Sequence, residues 1–355
     1  MYLEFFKLRE FPFRLTPDTE FMYMSEGHSR AKSYMDYTVW NRDGFVVITG
    51  EIGSGKTTLI QKLLSELEEN VLVAKIFQTQ LDEVEFLQAV LVEFGLNPFN
   101  AKKVELIDML NTFLIDQFHK EKQLVLIVDD AHNLNPKVLE EIRMLSGLET
   151  QKEKVLHVIL VGQPQLNEML ESPDLEQLLQ RVRLRYHIKS LSEEDAKAYV
   201  THRLRVAGMG EQHLFAPDTF PVIHRYTGGL PRLINTLCDT ALICAYADNA
   251  TTVTGPVLNA AIEELHWLPY AKRVNQQRGR SQPPGNEYQE VVKDNTRALF
   301  NVGQQMGRLD ALVPALNSLA GRMANIETLL RQIAGRLPGI ASGPVKERKS
   351  TLKHE

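Results

Sequence analysis

Between residues 45 and 188 the chain alternates short, continuously apolar runs with longer amphipathic stretches. The runs fall at 45–49, 71–77, 124–129 and 155–161, with a shorter one at 184–188. Between them, 57–69, 83–94, 104–120 and 136–148 carry apolar residues at helical spacing. Apolar runs without polar alternation read as strands buried on both faces. Strands separated by helices read as a mostly parallel sheet covered on both sides. After Ser190 the strand signal stops. Ser192-Glu193-Glu194-Asp195 opens a helix, with Ser192 as N-cap, and Ala196, Tyr199, Val200 and Leu204 form its apolar stripe. Further helices are expected at 217–226, 231–247 and 255–265, so a small all-helical domain follows the sheet.

The ends of the chain have a different texture. Residues 1–38 form an N-terminal arm that opens with Phe5-Phe6-Lys7-Leu8-Arg9-Glu10-Phe11-Pro12-Phe13. A turn at Thr16-Pro17-Asp18 and a helix from about Ser25 or His28 follow. The arm is expected to precede an α/β core at 39–190 and a helical lid at 191–268. At 269–286 apolar residues nearly vanish among Lys272, Arg273, Arg278, Arg280, Gln, Asn, Gly and Pro, which reads as a basic linker. Within 287–338, Leu299, Val302, Met306, Leu309, Val313 and Leu316 step by 3 and 4, and the series resumes from Met323 after a break near Pro314. That pattern reads as two short coiled-coil segments or as an amphipathic helix on a partner. Residues 339–355 read as a disordered basic tail.

Composition narrows the setting. The 355 residues carry a net charge of −5, which argues against a chain wholly devoted to nucleic acid or acidic lipid. From Ala271 onward there are 14 Lys and Arg against 7 Asp and Glu, so the basic charge is concentrated at the C-terminal end. Two cysteines, Cys238 and Cys244, sit on different faces of one expected helix and fit a reducing compartment. Neither a signal peptide nor a membrane span is expected, which places the protein in the cytoplasm.

The chemistry concentrates after the first apolar run, at Gly50-Glu51-Ile52-Gly53-Ser54-Gly55-Lys56-Thr57-Thr58. A strand, a Gly-x-x-x-x-Gly-Lys-Thr loop and a helix together make a phosphate-binding loop. Its backbone N–H groups form an anion nest at a helix N-terminus. Lys56 would reach the β- and γ-phosphates, and the Thr57 hydroxyl would hold Mg2+, so ATP with Mg2+ is the expected cofactor pair. The aromatic arm would then pack beside the adenine or serve as a strap over the core. The run at 124–128 ends in Asp129-Asp130. Asp129 fits a Mg2+ role, and Asp130 would polarise the attacking water from a side chain one methylene shorter than the common Glu. In Arg181-Val182-Arg183-Leu184-Arg185 the planar fork of Arg181, or secondarily of Arg185, suits stabilisation of a transferring phosphoryl group on a neighbouring subunit; exposed strand-edge charge is the plainer reading. Arg232, just after Pro231 at a helix start, would point back at the phosphates.

Phe11-Pro12-Phe13 with Leu15-Thr16-Pro17-Asp18, the phosphate loop, Val161-Gly162-Gln163-Pro164, the stretch from Gly228 to Asn235 and Glu263-Glu264-Leu265-His266-Trp267 form an ordered set. Over roughly residues 1–268 this set resembles the AAA+ ATPases, and more narrowly the general secretion pathway protein A (GspA/ExeA-like) branch. The resemblance implies Gln163 as a γ-phosphate sensor between the two carboxylates. It also implies a homo-oligomeric motor or switch coupled to envelope secretion or polysaccharide-export proteins, at most peripheral to the inner membrane. Secretin-associated relatives continue into a membrane span and a peptidoglycan-binding domain. Without these, the chain looks more like the shorter, exopolysaccharide-associated type. A DNA-linked, transposition-type regulatory ATPase that contacts DNA through the basic linker and tail is the weaker alternative, because no DNA-reading motif accompanies them. A slow-turnover, nucleotide-gated scaffold is the third, motivated by Asp130.

Overall fold

The computed structural model describes residues 2–41, 44–149, 153–210 and 213–281. Tyr2–Phe5 forms a single turn, α1, and Glu26–Trp40 forms α2. The chain then runs β1 (Phe45–Gly50), α3 (Lys56–Ser65), β2 (Val71–Ile76), α4 (Glu83–Glu93), α5 (Lys103–His119) and β3 (Gln123–Val128). It continues through α6 (Pro136–Leu145), β4 (Leu156–Gly162), α7 (Gln165–Leu170), α8 (Glu176–Leu179) and β5 (Leu184–Ile188). The helical part comprises α9 (Glu193–Val206), α10 (Thr219–Thr227), α11 (Pro231–Ala247), α12 (Gly255–Glu264) and α13 (Tyr270–Ser281).

The five strands are parallel, in the order β2-β3-β4-β1-β5. Because side chains alternate across a strand, Phe45 and Val47 of β1 join one core with Leu124, Leu126, Leu156 and Leu160, under α4, α5 and α6. Val46 and Ile48 join the opposite core with Val125, Ile127, Ile159 and Val161, under α2 and α3. Both faces are dry, which is why these strands read as continuous apolar runs. The pairings Thr49↔Gly162 and Val128↔Leu160 bring the C-terminal ends of β1, β3 and β4 level with one another. In a parallel sheet flanked by helices, that edge is where ligands are bound.

The N-terminal arm expected at 1–38 divides in two. Its helix α2 belongs to the sheet: Ala31, Met35 and Val39 pack on the β1, β4 and β5 face. The segment ahead of it belongs to the helical lid, where Tyr2, Phe6, Leu8, Phe13 and Phe21 are buried among residues of α9, α10, α11 and α12. The Tyr2 hydroxyl donates to Asp239 Oδ1 at 2.5 Å. Aromatic residues this close to the N-terminus find their apolar partners about 200 residues later, which no local pattern encodes.

The linker expected at 269–286 is also corrected, since it begins as helix α13. The Arg273 guanidinium lies 4.4 Å from the Trp267 ring centroid and donates to the Tyr226 carbonyl, so a polar segment is held by aromatic stacking on the lid. Cys238 and Cys244 are both buried and free. Among the described residues no helix is long and apolar enough to cross a membrane. The expected coiled-coil segments at 287–338 and the tail at 339–355 lie outside the described residues.

Candidate functional site

At the level C-terminal ends of β1, β3 and β4 the structure opens into a cleft of about 440 Å3. Its phosphate-loop wall is made by Ile52, Gly53, Gly55, Lys56, Thr57 and Thr58, with Asp130 and Gln163 beside them. The lid contributes Tyr199, Arg203, Pro231, Arg232 and Asn235, and the arm supplies the stretch from Arg14 to Asp18 together with Phe21, Met22 and Tyr23. Gly50, Glu51 and Ser54 shape the loop from behind without lining the cleft.

β1 stops at Gly50, and α3 starts at Lys56 from the left-handed N-cap Gly55. The loop between them leaves helix N–H groups pointing into the cleft, as an anion site requires. Lys56 is buried, and its Nζ donates to the carbonyl oxygens of Gly50 and Glu51 at 2.8 and 2.9 Å. Burial pushes its pKa down, against the opposing pull of Asp129, Asp130 and Glu51. Asp129 is also buried, accepts from Thr57 Oγ1 at 2.8 Å through Oδ2 and from the Asp130 N–H at 2.9 Å through Oδ1. Burial raises its pKa and outweighs both hydrogen bonds. A hydroxyl and a carboxylate in direct contact beside a phosphate-binding loop are the hard oxygen donors that suit Mg2+, which takes few protein ligands and completes its shell with phosphates and water. Among the described residues no cluster of three or more His, Cys, Asp or Glu forms an all-protein metal cage.

Asp130 adopts a left-handed backbone, φ +50°, which turns its exposed side chain towards the cleft rather than into the sheet. Gln163 follows β4, lines the cleft, and donates its N–H to His132 Nδ1 at 3.4 Å. His132 lies 4.0 Å from Asp130 Oδ1, and burial lowers its pKa. Arg232 reaches the site from the lid: its backbone N–H donates to Gly53 O at 3.1 Å. A Cβ on Gly53 would stand 2.5 Å from Arg232 Cβ, so only glycine allows this approach.

Arg181 lies elsewhere. Its Nη1 donates to the Arg143 carbonyl at 2.8 Å and to Ser146 Oγ at 3.1 Å, satisfying the C-terminal end of α6, and it does not line the cleft. Arg185, the second candidate, pairs with Glu171 at 3.3 Å. The structure thus places Lys56, Thr57, Thr58, Asp130, Gln163 and Arg232 around one cleft, with Asp129 bonded to Thr57, and leaves Arg181 tied to its own chain.

Two cleft residues escape a reading by motif. His28, on the first turn of α2, is 4% exposed; its Nε2 meets the Ser54 carbonyl at 2.8 Å and its Nδ1 meets Ser25 Oγ at 2.7 Å. Burial holds its pKa below the ordinary histidine value, against the Ser54 carbonyl and Asp195. Both contacts are satisfied by a neutral ring with the proton on Nε2. Arg203 is 7% exposed within the lid core. Its only sequence signal is its place seven residues after Ala196 and four after Tyr199, a charge inside an apolar helical stripe.

The AAA domain family matches residues 40–170. General secretion pathway protein A of Aeromonas hydrophila is 42% identical over 270 residues, 76% of this chain and 49% of that protein, so the chain spans about half the length of that relative. Among solved structures, the Aeropyrum pernix ORC2 protein in ADPNP and ADP complexes superimposes with a TM-score of 0.55 at 15% identity, over 71% of each chain. Drosophila ORC bound to DNA gives 0.57 at 16% identity, over 95% of this chain and 85% of that one. At these identities the structural likeness speaks for the fold alone.

Proposed function

The chain is a general secretion pathway protein A-like member of the AAA+ ATPases, and from that premise we propose that it binds and hydrolyses ATP as an oligomeric switch or motor in a bacterial envelope secretion or polysaccharide-export system. The observation that carries the reading is the contact between Thr57 and Asp129 at the foot of a loop that already turns Lys56 inward. Lys56 would exchange its two carbonyl partners for β- and γ-phosphate oxygens, recovering the charge partner that burial makes it lack. Thr57 and Asp129 would hold Mg2+, which when bound neutralises phosphate charge and orients the triphosphate. Asp130 would orient the attacking water and accept its proton, with Gln163 reading the γ-phosphate. Arg232 would report that phosphate to the lid. The nucleotide-bound state of the Aeropyrum pernix ORC2 protein supports adenine nucleotide as the ligand. The match to a secretion pathway protein supports the envelope setting.

The test is the steady-state ATPase rate against protein concentration, for the intact chain and for Lys56→Ala, Arg181→Ala and Arg185→Ala. A specific activity that climbs with concentration, falls to background in Lys56→Ala and is lost in one arginine variant that still binds ATP establishes a site shared between subunits. ATP binding without turnover above the Lys56→Ala background moves the slow nucleotide-gated scaffold to the front.

A further inference from the structure

We propose that Arg203 is the positioning residue of the base-binding half of the cleft, setting the arm segment 14–18 against the base so that a bound nucleotide ties the lid to the phosphate loop. This rests on the nucleotide-binding reading above. Among the described residues the Arg203 guanidinium has no carboxylate within ion-pair distance. Arg203 is buried in the lid core, and among the described residues its hydrogen bonds go to neutral oxygens. Nε donates to the Pro12 carbonyl at 2.5 Å, Nη1 to the Tyr199 hydroxyl at 2.9 Å and Nη2 to the Arg14 carbonyl at 3.4 Å. The Tyr199 hydroxyl passes its own proton to Asn235 Oδ1 at 2.7 Å, and Asn235 Nδ2 returns to the Arg14 carbonyl at 3.3 Å. Arg203, Tyr199, Asn235 and the Arg14 carbonyl therefore form a closed ring of hydrogen bonds. The guanidinium plane also lies 5.0 Å from the Phe21 ring centroid and 5.6 Å from that of Tyr199.

Two helices of the lid, α9 and α11, thus grip the arm by its backbone at Pro12 and Arg14. The residues that follow directly, Leu15 to Asp18, line the same cleft as the phosphate loop. A planar fork with several fixed donors can hold two carbonyls and a hydroxyl at once; a lysine ammonium offers charge without that geometry. A buried charge is costly unless its donors are satisfied. Here the carbonyls are the satisfaction, so the arm cannot leave without stranding the guanidinium. The base pocket is accordingly carried by the lid while the phosphates are gripped by the core. Base contact is what would close one on the other.

The experiment compares affinity for ATP with affinity for inorganic tripolyphosphate, each with Mg2+, in the intact chain and in Arg203→Lys, Arg203→Met, Tyr199→Phe and Lys56→Ala. The margin of ATP over tripolyphosphate measures the base-binding half alone. Arg203→Lys and Arg203→Met are expected to shrink that margin by roughly 10- to 100-fold, the scale of one or two lost charged hydrogen bonds, with tripolyphosphate affinity kept within about threefold. Tyr199→Phe deletes one hydroxyl and is expected to shrink the margin less, about threefold; it carries the test if the Arg203 variants melt before assay. An unchanged margin in Arg203→Lys overturns the inference, as does a parallel fall in both affinities in a folded variant. If the intact chain binds ATP no better than Lys56→Ala does, the nucleotide-binding reading itself fails, which is a separate outcome.

Discussion

Asp129 shows how the site trades stability for chemistry at the level of one carboxyl group. It is buried beside Thr57, and that burial raises its pKa above the ordinary carboxyl value. A carboxyl raised in this way lets the folded protein keep a proton that the unfolded chain has released. Its stabilising contribution is present in acid and is lost as pH rises through the folded pKa. At neutral pH the ionised group therefore works against folding. Asp129→Asn is expected to raise Tm at pH 7 by about 2 °C, since roughly 1 kcal/mol shifts a chain of this size by that order. The same variant should lose ATP turnover. The gain in Tm should fade as the pH is lowered through the folded pKa, where the native carboxyl takes up its proton; a series of thermal melts from pH 7 into mild acid checks it, and a lower Tm at pH 7 would refute the assignment. Much of this site could be read from sequence because each part sits at the end of an apolar run: Lys56 after β1, Asp129 and Asp130 after β3, Gln163 after β4. Arg203 and His28 could not, because what defines them is a carbonyl on a distant segment, Pro12 for one and Ser54 for the other.

At the scale of elements, α2 is a brace for the phosphate loop. Ser25 caps the helix by accepting the His28 N–H, and the same hydroxyl engages His28 Nδ1 while Nε2 holds the Ser54 carbonyl. Helix cap and loop are thereby locked by one neutral imidazole. His28→Ala strands the Ser54 carbonyl and should cost about 1–3 kcal/mol in urea unfolding. It should also weaken ATP binding by loosening the loop. His28→Gln keeps a donor near Ser54 but does not titrate. Because the folded pKa of His28 is depressed, its contribution is whole above the unfolded value of about 6.5 and is lost as pH falls through the folded pKa. The intact chain should therefore lose stability from about pH 7 to 5 more steeply than His28→Gln, as followed by urea midpoints; parallel curves would remove His28 from the account. The strands show why other elements were easy to read. All five lie close to their apolar runs; β1, β3 and β4 are the plainest, because burial on both faces leaves them almost wholly apolar, whereas half-buried β5 keeps Arg185 and His187 and gives a shorter signal. Helix ends were less legible: 57–69 was expected and α3 stops at Ser65, 136–148 was expected and α6 stops at Leu145. Amphipathic spacing continues past the last hydrogen-bonded turn, so it does not mark where the backbone leaves the helix.

For the whole molecule, the turn at Gly228-Gly229-Leu230 is where the phosphate loop, the passage from sheet to lid and the start of the C-terminal extension meet. Just beyond it, Arg232 N–H donates to Gly53 O at 3.1 Å. On one side, Leu191, between β5 and α9, donates its N–H to Gly229 O at 2.9 Å and shares its carbonyl with His224 Nε2 at 3.1 Å. On the other, the Tyr270 ring of α13 lies so close that a Cβ on Gly228 would stand 2.2 Å from Tyr270 Cδ1. Gly228 also has φ +61°, a conformation that closes α10 and that a β-substituted residue strains to adopt. A shift of Arg232 towards or away from the loop cannot leave this turn still, and the turn cannot move without pushing on Tyr270. Composition alone made 269–286 a linker, because the contacts that fold α13, Tyr270 on Gly228 and Arg273 on Trp267 and Tyr226, are tertiary. Nucleotide should therefore be felt in α13. In limited proteolysis of the intact chain, a non-hydrolysable ATP analogue is expected to change the rate of cleavage within α13 by at least about threefold. Tyr270→Ala should abolish that response while leaving analogue affinity within about threefold, because the ring touches the turn and does not line the cleft. Cleavage that ignores the analogue in the intact chain would show that the turn moves without α13, and an unaltered response in Tyr270→Ala would assign the transmission to Arg273 instead.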